Sequence, residues 1–164
     1  MFELKPIEKG SIPRAIEKAE RYRLLNEPVE AESICRDILE VDPQNQKALI
    51  ILLLAITDQF ETGIPVTDAQ SILGQLGSDY DKAYYSGIIC ERRAKALMDQ
   101  GSHGSGFVAY DWFLQAIRWY EKAAGIRPKD NDDAILRYNT CVRILERHPD
   151  LKPSHDERIE LPLE

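Results

Sequence analysis

The residues best placed by type to do chemistry lie in one stretch, DQGSHGSGFVAYDWF, residues 99–113. Within it Gly104, Gly106 and Ala109 match the G-x-G-x-x-A spacing of a dinucleotide-binding turn. That chemistry needs a strand leading in, so that backbone N–H groups at a helix start can hold a pyrophosphate. Here a helical pattern leads in, and Phe107 and Val108 are bulky and apolar. A phosphate loop also fails, because no Gly-Lys-Ser/Thr follows, and no G-x-S-x-G surrounds Ser102 or Ser105. His103 has no Cys, His or carboxylate at ligand spacing, so it is expected to be a solvent-exposed histidine. The stretch therefore reads as a glycine-rich hinge between paired helices, with no catalytic residue, no cofactor site and no metal site.

The elements flanking the hinge are all helical in pattern. Apolar residues recur at three and four, and nothing reads as a strand. Ser11 is expected to cap a first helix running from Pro13 to about Leu25, with Asn26 in a left-handed turn and Pro28 opening the second. The second helix places Val29, Ile34, Ile38 and Val41 near one face and stops at Asp42-Pro43. Asn45 caps a third, which is apolar on nearly all sides and so belongs between neighbours. Gly63 and Pro65 end it, and Thr67-Asp68 opens a fourth helix to about Leu76. A long fifth helix follows from Tyr80 to about Gln100, and a sixth from Phe107 to Ala124. Asp130 or Asn131 caps a seventh, which reaches Arg147.

Composition narrows the function classes. Of the 164 residues 43% are hydrophobic and 30% charged, which suits a globular helical chain and is far from a disordered one. The net charge of -7 disfavours an electrostatic hold on nucleic acid or anionic lipid, both of which need a basic surface. Neither partner is expected. The longest apolar run, Ala48 to Thr57, is about half a membrane span, and the first twenty residues lack a signal-peptide core. Cys35, Cys90 and Cys141 lie far apart inside helical patterns, as expected of buried thiols in a reducing cytoplasm.

Two segments repeat. AESICRDILEVDP begins at Ala31 and AIRWYEKAAGIRP at Ala116, and in each the alanine precedes the closing proline by 12 positions. Cys35 and Tyr120 share one slot of this pattern, Ile38 and Ala123 the next. Small residues let two helices approach, and the proline ends the second of them. Upstream, Ala19 and Tyr22 take small and aromatic slots, while Ala55 and Ala69 take small slots in a looser middle unit without a closing proline.

The pattern resembles the tetratricopeptide repeat (TPR) family over about residues 12–147. The two prolines are 85 positions apart, roughly 17 more than two repeats of about 34 residues, and the fifth helix and the hinge absorb the excess. The resemblance implies an all-α fold: antiparallel helical hairpins stacked as a short right-handed TPR-like α-solenoid of about seven helices. Residues 1–11 form an N-terminal extension, 12–147 a single helical domain of about three degenerate repeats plus a capping helix, and 148–164 an extended or disordered acidic tail. Arg137, Arg143, Glu146 and Arg147 make the seventh helix a solvating cap.

In that family the first helix of each repeat lines a concave groove that recognises peptides. Carried over, the groove candidates are Ile16, Glu20, Arg23, Leu52, Ile56, Gln59, Tyr84, Ile88, Glu91, Arg92, Ile135, Asn139 and Arg143. Some members clamp a chaperone's terminal carboxylate with Lys, Arg and Asn; here those positions hold Ile16, Glu20, Leu53, Asp81 and Tyr85, which lack the needed groups. Arg92, Arg93 and Lys95, with Glu91 beside them, read as a solvated face. Phe107, Tyr110 and Trp112 are candidates for an exposed aromatic patch that anchors a partner. The expected function is a non-catalytic, cytoplasmic adaptor or scaffold that binds another protein or peptide. The alternative is a homo-oligomerising structural module, for instance a homodimer.

Overall fold

Prolines, asparagines and glycines set the helix ends, as the computed structural model of the chain makes visible. It describes residues 1–154, so the expectation for most of the acidic tail lies outside the described residues. Among the described residues the fold is all-α, with seven α-helices, two short 3-10 turns and no strand. The helices are α1 (Ile12–Leu24), α2 (Pro28–Val41), α3 (Gln46–Thr57), α4 (Val66–Leu73), α5 (Asp79–Gln100), α6 (Ser105–Gly125) and α7 (Asp133–Arg147). None of them is long and apolar enough to cross a membrane. Their contacts divide the chain into two compact units between Gly77 and Ser78, a break inside the segment the sequence reading takes as one domain.

In the first unit α1 packs on α2, α2 on α3 and α3 on α4. Asn26 adopts a left-handed conformation (φ 60°) and Pro28 starts α2, so a tight turn reverses the chain. Asn45 caps α3, accepting a hydrogen bond from the Ala48 N–H at 3.0 Å. Ser11 does not cap α1; it sits in a 3-10 turn with helical backbone angles, and its side chain makes no cap bond. Pro65 rather than Thr67 precedes α4, which ends at Leu73. The buried face of α2 is Ala31, Cys35 and Ile38, and Val29 points to solvent. That face is set by the small residues, which permit closer packing than a valine stripe. Eight of the twelve α3 residues are buried, in keeping with its all-round apolarity.

Two polar ties hold this unit's helix ends. Arg23 donates to both carboxylate oxygens of Asp58, at 2.7 and 3.2 Å, joining the end of α1 to the end of α3. Gln46 donates to the Gln75 carbonyl at 3.2 Å and accepts from the Gly77 N–H at 2.8 Å.

In the second unit α5 packs along α6, and α6 along α7. Ser78 caps α5, its hydroxyl accepting from the Asp81 N–H at 2.9 Å. The helices come together at small residues: Ala83 of α5, Ala123 of α6 and Ala134 of α7 form one buried cluster. Gly87 marks the tightest approach. A Cβ there would stand 2.5 Å from the Tyr120 ring, so only glycine admits that ring. At the far end His148 to Asp150 turn, Leu151 is buried, and the Asp150 carbonyl lies 3.0 Å from where a Gly106 Cβ would be.

Candidate interaction surfaces

The groove candidates of α5 are gathered around one buried carboxylate. Glu91 is 0% exposed, although its neighbours Arg92, Arg93 and Lys95 gave it the look of a solvated face. Lys95, one turn on, donates to Glu91 Oε2 at 2.8 Å, and Arg137 of α7 donates to the same oxygen at 3.1 Å. The Tyr120 hydroxyl of α6 donates to Oε1 at 3.2 Å, and the Cys141 thiol of α7 approaches it at 3.4 Å. One side chain of α5 is thus bonded to both α6 and α7. Burial, then the adjacent Glu91 charge, push both the Tyr120 hydroxyl and the Cys141 thiol above their ordinary values. Burial also raises the pKa of the nearby Tyr84 hydroxyl, which the Arg137 charge opposes. Arg137 is therefore a partner of the core, not part of a solvating cap.

A buried acid with polar neighbours is also what a general acid or base looks like. The geometry here argues for structure instead. Both carboxylate oxygens are occupied by the protein's own donors, and no described buried side-chain polar atom lacks a partner. No group of three His, Cys, Asp or Glu side chains among the described residues could hold a metal.

Burial sorts the remaining candidates. Ile16, Leu52, Ile56, Gln59 and Ile88 are buried like Glu91, so they are core rather than contact residues. Their positions on the helices were read from spacing, and spacing alone does not say which face a neighbour covers. Arg23 is half-buried in its ion pair with Asp58. Glu20 and Arg143 are exposed, and Tyr84, Arg92, Ile135 and Asn139 are half-buried. Phe107, Tyr110 and Trp112 are half-buried too but do not share a face. At about 100° per residue Trp112 is turned far from both of the others.

The glycine-rich hinge forms the wall of a shallow hollow with Met98, Phe107, His148 and Leu151. Gly101 and Gly104 have positive φ, 58° and 82°, which the turn from α5 into α6 requires. His103 and His148 are both exposed. The hollow presents no buried polar group toward a ligand.

The chain matches no family profile, no characterised protein and no solved structure. The surface must therefore be read from its own chemistry.

Ile135 and Asn139 do lie together, in a groove between α6 and α7 that Tyr120, Glu121, Ala124 and Tyr138 complete. Along α7 the apolar residues Ile135, Tyr138, Val142 and Leu145 follow helical spacing, and all four are only half-buried. Leu136 beside them is 62% exposed. Sequence reasoning missed Tyr138, Val142 and Leu145. The signal was present: α7 carries this second apolar stripe beside the one that contains Ala134 and Cys141, wider than packing on α6 alone requires.

Proposed function

We propose that this chain is a cytoplasmic, TPR-like, non-catalytic interaction module whose α6–α7 groove takes a helix or peptide of a partner protein. The observation that carries the reading is the half-covered apolar stripe of α7 bordering the groove. A helix added beside α6 and α7 would cover Ile135, Tyr138 and Val142 with anchors three, four and seven residues apart, the usual mode of helix-in-groove recognition. Glu121, Tyr138 and Asn139 add polar groups to the groove's lining, and such groups set a ligand's orientation. Three unbridged cysteines, all buried, support a reducing compartment.

The test is selection of helical peptides from a displayed library on the wild-type chain, followed by affinity measurement on Ile135→Asp and on Tyr138→Ala. Both positions are partly open, so the variants should remain folded by far-UV circular dichroism. The proposal expects selected peptides to bind wild type and to lose roughly tenfold or more on either variant. Selected peptides that bind both variants as well as wild type would place recognition elsewhere and refute the groove.

A further inference from the structure

The face of α1 opposite its core carries a line of cations. Arg14, Lys18 and Arg21 follow one another at four and three residues, and Leu25 continues the line one turn later. At about 100° per residue these four fall within a narrow stripe, and Ile16 and Ala19, the buried residues of α1, lie on the opposite side. Arg14, Lys18 and Arg21 are all exposed and line a shallow trough with Pro13 and Glu17. Leu25 is 62% exposed, and Leu24 beside it 88%.

The state of these cations is unlike that of other arginines in the same unit. Arg23 is paired with Asp58 and Arg36 with Glu32. Arg14, Lys18 and Arg21 have no ion pair or side-chain hydrogen bond among the described residues. They stand on a chain whose net charge is -7, and with the one carboxylate Glu17 among three cations the trough is locally positive. Cations spaced to one side of a helix, unpaired and ending in an exposed leucine pair, are complementary to a segment with carboxylates at the same spacing and an apolar residue beyond.

We infer that the outer face of α1 is a second docking surface, for a short acidic amphipathic segment of a partner protein. Its carboxylates lie along Arg14, Lys18 and Arg21, and its apolar end covers Leu24 and Leu25. Nucleic acid fits less well. A duplex carries a charge about every 1.7 Å along its whole length, so three cations on a chain of net charge -7 meet only a few of its phosphates. A segment no longer than α1, about 20 Å at about 1.5 Å per residue, stays within the stripe. This surface is carried by α1 and shares no residue with the α6–α7 groove, and its success or failure leaves that proposal untouched.

The probe is a fluorescent, end-capped helical peptide of 13 residues, the length of α1. It carries Glu at i, i+4 and i+7 and Leu a turn beyond, and it is titrated into the full chain by anisotropy. Comparison probes are the same peptide with Gln for Glu, a single-stranded oligothymidylate, and phosphatidylserine vesicles. The Glu peptide is expected to bind best, to weaken with added salt, and to lose roughly tenfold affinity on Arg14→Glu/Lys18→Glu/Arg21→Glu, each exposed pair being individually modest. The neutral triple variant with Gln at the three positions is expected to fall between, which separates charge from any loss of folding. Ile135→Asp should bind this peptide like wild type. Equal affinity for the Glu and Gln peptides, equal binding by the charge-reversed chain, loss on Ile135→Asp, or tighter binding of the oligonucleotide or vesicles would each overturn the inference.

Discussion

Arg137 of α7 bonds Glu91 of α5 at 3.1 Å across 46 residues of sequence, and through it the last helix is tied to the first of its unit. Glu91 is 0% exposed while the Arg137 side chain is 33% exposed. Removing the arginine leaves a buried carboxylate held by Lys95, Tyr120 and Cys141 alone. Arg137→Leu is expected to destabilise the chain by about 2–3 kcal/mol, below the usual range for a buried pair because Lys95 remains and Arg137 is partly in water. Urea denaturation of both units' signals reads this. In Glu91→Gln/Arg137→Leu the losses should be less than additive, and strict additivity would mean that the two side chains are not coupled.

Gly87 gives a test of the helix approach. Gly87→Ala would drive a methyl into the Tyr120 ring, with a cost of about 1–3 kcal/mol from overpacking, despite the better helix propensity of alanine. Gly125, in the last turn of α6, has nothing within 4 Å of the position of its would-be Cβ. Gly125→Ala is therefore expected to be neutral or stabilising. Thermal unfolding of the two variants should move in opposite directions or leave the second unmoved.

The helix caps separate in the same way. Asn45→Ala and Ser78→Ala each remove a side-chain acceptor that holds a first-turn N–H, at about 1 kcal/mol apiece. Ser11→Ala removes no such bond and should change stability by no more than a few tenths of a kcal/mol. Denaturant midpoints of the three variants compare them directly.

Burial pushes the Cys35 thiol up to about 12 and the Cys90 thiol up to about 11, against about 8.5 for a free cysteine. Both should resist iodoacetamide at neutral pH and react only when the chain unfolds. The sign of the linkage follows. Unfolded thiols ionise first as pH rises, so their contribution to stability is complete below about 8.5 and is lost as pH climbs toward the folded values. Burial raises Tyr80 and Tyr84 in the same direction. Stability measured at rising alkaline pH should fall in that window, whereas an unchanged midpoint would contradict the burial of these groups.

Much of the helix punctuation was legible in sequence because it is local chemistry. Asn26, Pro28, Asn45 and the hinge glycines act on backbone within a few residues of themselves. The small residues at Ala19, Ala31, Ala55, Ala69, Ala116 and Ala123 were legible as packing positions, and all are buried. Glu91 was not. On α5 it sits among Arg92, Arg93 and Lys95 and has the composition of a surface, and apart from Lys95 the partners that make its burial tolerable lie 29 to 50 residues away. Gly87 was the available clue, since a glycine inside a long helix signals a close approach. Of the groove candidates, Ile135 and Asn139 are half-buried and line one hollow, but helix spacing gave no means to tell that Leu52, Ile56 and Ile88 face inward.

The central claim is that the α6–α7 groove receives another protein. The most direct measurement replaces Tyr138 with benzoylphenylalanine, an aromatic change at a half-buried position, and irradiates cells that express the chain. The same replacement at exposed Glu40 serves as control. The account predicts a discrete adduct with a different protein from position 138, absent at position 40 and reduced when Ile135→Asp is added. No adduct at 138, the same adducts at both positions, or an adduct made only with further copies of this chain would contradict it.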